Sequence, residues 1–110
     1  MLLPNAESAI VELAKLRDYS LNPYHERGQH KARVFEAALG VRTEDAEWLR
    51  TQILTRALLD EAEENAPSVF GRRFIVDMQL IRAGKSAVVR TTWIIEHGTE
   101  HPRLTSCYVI

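Results

Sequence analysis

The sequence predicts an α+β domain in which N-terminal helices pack on one face of a C-terminal antiparallel sheet with a three-strand meander. Apolar residues recur at helical spacing through the first two thirds of the chain, and after Gly71 they alternate with polar residues. The strand-like segments follow one another without an intervening helix. This order favours antiparallel pairing, because parallel strands need a long crossover connection.

Length and composition indicate one globular domain, residues 1 to 110, since 45% of the residues are apolar. A net charge of -1 excludes a global positive field for non-specific nucleic-acid binding. The single cysteine, Cys107, excludes an intrachain disulfide. No basic and apolar leader and no stretch of about 18 apolar residues is present. We therefore expect a cytoplasmic protein without a membrane partner.

The first segment of the chain carries a mixed pattern. Residues 9 to 11 are apolar and could form a short strand, whereas residues 12 to 19 suit a helix. Asn22-Pro23 interrupts regular structure and opens a polar loop that runs to Gly28.

Two further helices are predicted before the sheet. His30 to Leu39 has one apolar face and ends at Gly40, which suits a left-handed helix stop. Thr43 is the predicted N-cap of a helix that runs to about Glu61 and covers the sheet. The polar stretch from Glu61 to Asn65 then ends the helical part. The residues predicted to face the core are Val34, Phe35, Ala38 and Leu39 in the first helix and Ala46, Leu49, Ile53 and Ala57 in the second.

The three predicted strands cover residues 74 to 80, 86 to 96 and 104 to 110, and alternate side chains on each point to opposite faces. The expected buried face carries Phe74, Val76, Met78, Val89, Trp93, Leu104 and Tyr108. The expected open face carries Arg73, Ile75, Asp77, Gln79, Arg90, Thr92, Ile94, Arg103, Thr105 and Cys107. Such a face is a cationic platform for a ligand, or the solvated face of an ordinary antiparallel sheet.

Lys31 is unusual because helical geometry places it within the apolar stripe of its helix. Lys31 and His30 also lie in the first turn, where unpaired backbone amides disfavour a cation. A bound phosphate would offset this and would give His30 a role in proton transfer. The alternative is a lysine whose stem packs while its ammonium group reaches solvent. His25, in the preceding loop, is either a second candidate for proton transfer or a surface histidine.

No cofactor and no metal site is predicted. His97 and His101 flank a turn at Gly98, but no further Cys or His completes a zinc-binding spacing. A Gly-rich phosphate loop, a serine nucleophile elbow and a pair of catalytic carboxylates are all missing from the sequence.

The chain resembles an uncharacterised bacterial domain family over nearly its full length. The segments that carry this resemblance are residues 3–6 (LPNA), 15–23 (KLRDYSLNP), 30–35 (HKARVF), 89–94 (VRTTWI) and 102–109 (PRLTSCYV). Members occur as small stand-alone proteins and as C-terminal domains of phage head-morphogenesis and toxin-like proteins. A more distant resemblance, in architecture, is to the barnase, EndoU, colicin and RelE superfamily. Its members place N-terminal helices against an antiparallel sheet and cleave RNA without metal.

The second resemblance implies a metal-independent RNA-cleaving or RNA-binding domain of toxin or phage-related type. Such an enzyme needs a base for the ribose 2′-hydroxyl, an acid for the leaving oxygen and cations for the phosphate. The expected residues are His30 or His25 as acid or base, Lys31 and Arg90 as electrostatic stabilisers, Thr105 as a phosphate donor, and Arg73, Thr92 and Arg103 as substrate-binding residues. The alternative is a non-catalytic protein-interaction module that binds a co-encoded partner through its sheet edge or its Trp48 surface.

Overall fold

The computed structural model describes residues 1 to 110 and confirms the α+β fold, with helices first and an antiparallel sheet after them. The helices are α1 (Leu13–Lys15), which continues as a π-helical turn (Leu16–Ser20), α2 (Gln29–Leu39) and α3 (Ala46–Ala57). The strands are β1 (Ala62–Ser68), β2 (Gly71–Arg82), β3 (Lys85–Glu96) and β4 (Arg103–Val109), each paired with its neighbour in chain order. None of the helices combines the length and the apolar character needed to cross a bilayer.

Strand β1 adds a fourth strand to the predicted three-strand meander. The sequence interpretation missed it because β1 is polar, with Ala62 as its only buried residue. It is polar because it lies at the edge of the sheet: β2 is its only partner strand, and on the other side Ala62 is the only residue whose backbone N–H is bonded, to the Met1 carbonyl. The prediction that the preceding helix runs to about Glu61 is therefore wrong, since α3 ends at Ala57.

The helix starts and faces also differ from the prediction in two places. Thr43 is not the N-cap of α3: it begins a 3-10 turn (Thr43–Asp45), and Asp45 is the N-cap residue. The Asp45 carboxylate accepts from the backbone N–H of Arg42 at 3.0 Å. On α2, Val34 is 45% exposed although it was predicted to face the core. The buried face is centred on Ala32 and Phe35, and Val34 lies about 200° around the helix from Ala32.

The end of α2 follows the prediction and is fixed by a residue from the sheet. Gly40 has the expected left-handed backbone, with φ 65°, and its N–H donates to the Glu36 carbonyl at 2.8 Å. Arg82 of β2 donates to the Gly40 carbonyl at 2.7 Å and pairs with Asp45 at 3.0 Å. Its guanidinium also lies 5.2 Å from the centre of the Trp48 ring. Arg82 thus joins the C-terminus of α2 to the start of α3.

The buried face of β2 and β3 is the predicted one. The side chains confirmed in the core are Phe74, Val76, Met78, Val89, Trp93 and, on β4, Leu104. Two helices cover this buried face. Helix α2 packs on β3 and β4, and helix α3 packs on β2. The expectation that the helix beginning at Thr43 covers this face therefore holds for β2, whereas α2 covers β3 and β4.

A β-bulge in β4 overturns the predicted orientation of its second half. Thr92 pairs with Ser106 but Trp93 pairs with Leu104, so Thr105 is an extra residue on β4. One inserted residue reverses the alternation that follows it. Cys107, predicted on the open face, is therefore buried, and burial raises the pKa of its thiol to about 11. Tyr108, predicted in the core, lies on the open face opposite Arg90.

The N-terminal segment completes the sheet beside β4. Ile10 forms a parallel bridge with Arg103, in which its N–H donates to the Pro102 carbonyl at 2.8 Å and its carbonyl accepts from Leu104 at 2.9 Å. The extended conformation considered for residues 9 to 11 is thus present as a single bridge. The helix considered for residues 12 to 19 is present from Leu13 onward.

Thr91 supplies the polar contact inside the core that the Trp93 indole needs. Its hydroxyl donates to the Val76 carbonyl at 2.7 Å and accepts from Trp93 Nε1 at 2.8 Å. Replacing Thr91 by Val keeps the side-chain shape but removes the indole's acceptor, which should cost about 1–3 kcal/mol of unfolding free energy. Urea denaturation measures this cost. An unchanged midpoint would mean that the indole N–H has another acceptor.

Candidate functional site

The open face of the sheet places Asp77, Arg90 and Tyr108 side by side on β2, β3 and β4. Arg90 forms a two-point ion pair with Asp77, with Nε–Oδ1 at 2.9 Å and Nη2–Oδ2 at 3.0 Å. Two residues farther along β3, the hydroxyl of Thr92 lies 2.7 Å from that of Thr105 at the bulge. The alternation of side chains along the strands therefore correctly predicted that Arg90, Thr92 and Thr105 lie on the open face. Tyr108 joins them there because the bulge reverses the alternation in the second half of β4.

The ion pair sets the charge states at the centre of this face. Hydrogen bonds to Asp77, and then its negative charge, raise the pKa of Arg90, and the nearby Tyr108 phenol contributes a smaller part. The hydrogen bonds from Arg90 lower the pKa of Asp77, although desolvation acts in the opposite direction. Asp77 is thus a carboxylate at neutral pH, and much of the charge of Arg90 is already balanced.

Lys31 reaches the same place from α2. Its ammonium nitrogen lies 4.6 Å from the centre of the Tyr108 ring, and the side chain is half-buried. None of the ion pairs in the structure includes Lys31. The lysine is therefore a cation whose contact is an aromatic ring, with no carboxylate to balance it.

Lys15 is a second such cation, and the sequence interpretation did not single it out. Its Nζ donates to the carbonyl of Thr105 at 3.1 Å and approaches that of Leu104 at 3.5 Å. It too forms no ion pair. Both lysines are close enough to Cys107 to oppose, by their charge, the rise in its pKa. Lys15 of α1 therefore lies at the bulge, and Lys31 of α2 lies at Tyr108, three residues farther along β4.

These residues form one group, which we call the β4 cluster. Its members are Lys15, Lys31, Asp77, Arg90, Thr92, Thr105 and Tyr108. Three of them are cations and one is an anion, so the cluster carries excess positive charge although the whole chain does not. Ammonium groups and hydroxyls are the donors that bind phosphate oxygens in proteins.

Neither of the histidines expected to transfer protons is bonded to the β4 cluster. His25 Nδ1 accepts from the backbone N–H groups of Arg27 and Gly28 at 3.0 and 3.1 Å. Its ring packs edge-on against Tyr19, with the centroids 4.5 Å apart. His25 thus orders its loop, while the side chain of the exposed His30 makes no hydrogen bond.

The remaining predicted binding residues lie toward the other end of the open face. Arg103 is balanced by Glu12 at 2.6 Å and Glu96 at 3.5 Å. Arg73 donates from Nε to the Ala66 carbonyl at 2.9 Å. A shallow cavity of about 190 Å³ brings Arg73 together with Thr92 and Thr105. We call it the open-face depression, and it is lined by Asn65, Arg73, Phe74, Ile75, Thr92, Trp93, Ile94 and Thr105.

A larger cavity, of about 560 Å³, lies on the helical side of the domain. Its walls come from the π-helical turn, the loop that follows it, α2 and the turn before α3. None of the predicted site residues lines it. No three His, Cys, Asp or Glu side chains are grouped so that they could hold a metal ion.

The Arg90–Asp77 pair allows a test of the site's electrostatics. In an Arg90→Ala variant the pKa of Asp77 should rise toward its ordinary value of about 3.8, because its main hydrogen-bond donor is gone. Glu64 is the control, since its pKa is lowered by Arg72 and should stay low. Carboxyl-detected NMR titration measures both, and an unmoved Asp77 would contradict the pairing.

The lowered pKa of Asp77 also makes the free energy of unfolding depend on pH. The pKa of Asp77 is lower in the folded than in the unfolded chain, so the pair's contribution is present above the unfolded value. It is lost as the pH falls through the folded value. The pair is exposed to solvent, so this contribution is small.

The fold and the site define a small α+β domain with a cationic cluster at the β4 edge of its open sheet face. The chain belongs to the DUF6883 family, a domain of unknown function, whose family model matches residues 2–110. Membership of an uncharacterised domain family, indicated by the sequence resemblance, is thereby shown. The chain matches none of the curated proteins and none of the solved structures with which it was compared.

Proposed function

We propose that this chain is a metal-independent RNA-binding and RNA-cleaving domain of toxin or phage-related type, and that the β4 cluster holds the phosphate. The position of Lys31 carries the proposal. A half-buried lysine without an acidic partner lies over Tyr108, which stands opposite the Arg90 of the Arg90–Asp77 pair. An anion at this point would gain from the unbalanced charge of Lys31, and Lys15 adds a second cation at the bulge of the same strand.

The donors of the β4 cluster are suited to a phosphodiester. Lys31 has all three ammonium protons free of hydrogen bonds within the chain, whereas Lys15 directs its ammonium group to the bulge carbonyls. The Thr92–Thr105 hydroxyl pair can offer a proton to a phosphate oxygen. Because the net charge of the chain is -1, binding should depend on these few local contacts rather than on the overall field.

Cleavage would use the RNA's own 2′-hydroxyl as nucleophile. A base removes the 2′ proton, the 2′ oxygen bonds to phosphorus, and the bond to the 5′ oxygen breaks as an acid protonates it. Within the β4 cluster the Asp77 carboxylate is the base and the Tyr108 phenol the acid. Lys31 stabilises the phenolate that remains. Once Asp77 has taken the proton, the charge of Arg90 is no longer balanced, and Arg90 stabilises with Lys31 the charge that develops on the phosphate. His30 and His25 are the alternative proton carriers.

Cleavage of single-stranded RNA in the presence of EDTA tests this function. We expect fragments that end in a 2′,3′-cyclic phosphate, and no cleavage of DNA of the same sequence, which lacks the 2′-hydroxyl. Asp77→Asn and Tyr108→Phe should abolish cleavage while RNA still binds. Loss of cleavage in His30→Ala or His25→Ala instead would assign the proton transfer to a histidine. RNA that is neither bound nor cut would overturn the proposal.

A second candidate is the non-catalytic module that binds a co-encoded protein. The observation that favours it is the tip of the β1–β2 hairpin, where Val69 is 83% and Phe70 is 70% exposed. The Trp48 surface is less suitable, because Arg82 covers that ring. In this case Phe70→Ser should abolish the complex with the co-encoded protein, and the wild-type chain should not bind RNA.

A further inference from the structure

We infer that the open-face depression binds one unpaired nucleobase of the RNA and prefers a base with a carbonyl oxygen on its major-groove edge, guanine or uracil. This inference rests on the proposed function, since it places a base beside the phosphate held by the β4 cluster. It adds a substrate class, which is single-stranded RNA in which the protein recognises one base. Bases in a duplex are stacked and paired, so they cannot enter such a depression.

The size and the floor of the depression suit a single planar group. Its volume of about 190 Å³ is well below the roughly 300–1,000 Å³ of sites for drug-sized ligands. Ile75 and Ile94 lie on adjacent strands and face the open side, where both stay partly exposed. The face of a base can lie on these partly exposed aliphatic side chains. Binding is then favoured because water leaves both the side chains and the face of the base.

The rim of the depression supplies hydrogen-bond donors that nothing in the chain uses. Arg73 donates from Nε to the Ala66 carbonyl, which fixes its guanidinium and leaves both terminal nitrogens without a partner. Asn65 is opposite Arg73 across the β1–β2 pairing, and its side-chain amide makes no hydrogen bond. A guanidinium fork favours a base edge rich in acceptors, as on guanine, and its donors also suit the carbonyls of uracil.

The two sites are neighbours because they share Thr92 and Thr105. Along β3 the outward residues Arg90, Thr92 and Ile94 follow one another at steps of about 7 Å. The base would therefore lie toward β1 and the phosphate toward Tyr108. A nucleotide in this orientation spans the sheet across its strands.

The test uses short oligonucleotides with one ribonucleotide in a 2′-O-methyl background, so that only one bond can be cut. The base on each side of that bond is varied among the four, and binding is measured by fluorescence anisotropy alongside cleavage. We expect guanine or uracil at one of the two positions to be favoured by about tenfold or more over adenine and cytosine. Arg73→Ala and Asn65→Ala should remove this preference, so that each variant binds and cuts the four substrates equally.

Arg72→Ala is the matched control, because Arg72 is next to Arg73 in β2 and pairs with Glu64 outside the depression. It should leave the preference unchanged. Equal cleavage of all four bases, or a preference that survives Arg73→Ala and Asn65→Ala, would overturn the base site and leave the proposed function standing. If no oligonucleotide is cut, the proposed cleavage fails. The binding measurements then test the base site independently of cleavage. A binding preference that is lost in Arg73→Ala supports the base site, and equal binding of all four bases overturns it.

Discussion

Phe35→Ala is expected to lower the free energy of unfolding by about 3–5 kcal/mol, as for other buried aromatic residues cut back to Ala. Phe35 is fully buried where α2 packs on β3 and β4, so its removal leaves a cavity between helix and sheet. Val34→Ala, one residue earlier, should change the same free energy by less than about 0.5 kcal/mol, because Val34 is 45% exposed.

Equilibrium urea denaturation, followed by circular dichroism, measures both variants. Comparing the stability losses of the two variants distinguishes the structure from the sequence pattern, because the pattern alone places Val34 and Phe35 on one apolar stripe. Equal losses in the two variants would mean that α2 is rotated relative to the sheet. A rotation of that kind would also move Lys31 away from Tyr108.

Lys31→Ala is expected to reduce RNA cleavage by about 100- to 1,000-fold, the cost of removing one donor that stabilises charge in a transition state. Its melting temperature should change little, since the lysine makes no ion pair. Initial cleavage rates at equal protein concentration measure the effect. Arg33→Ala, an exposed cation on the same helix, is the control and should keep full activity.

Lys31→Met separates the two explanations of this lysine. Methionine keeps an apolar stem of similar length and removes the charge. If Lys31 binds phosphate, Lys31→Met is as inactive as Lys31→Ala. If the lysine only packs against the body of the domain, Lys31→Met regains the wild-type rate and stability, and the phosphate site is wrong.

The sequence predicted those parts of the fold that repeat a local pattern. Alternation on β2 and β3 identified Phe74 and Trp93 as core residues, because each strand has one buried and one open face. Strand β1 gave no such signal, since an edge strand with one buried residue has the composition of a polar loop. The bulge at Thr105 gave none either, because an inserted residue is recognised only from the partner strand.

The same limit explains which residues of the β4 cluster the sequence analysis singled out. Lys31 was identified because a charged residue within an apolar stripe conflicts with its surroundings. Tyr108 was assigned to the wrong face because strict alternation through β4 ignores the bulge. Lys15 was overlooked because its partners are backbone carbonyls at that bulge, which no residue pattern indicates.

The binding of a non-cleavable 2′-O-methyl RNA, followed residue by residue in ¹H–¹⁵N NMR spectra, tests the central claim most directly. We predict saturable shifts at the amides of Thr92, Thr105 and Tyr108 that weaken with added salt and are largely lost in Lys31→Met. Shifts confined to the larger cavity on the helical side, around Arg17 and Arg42, would contradict the assignment of the phosphate to the β4 cluster, and so would a spectrum that does not change.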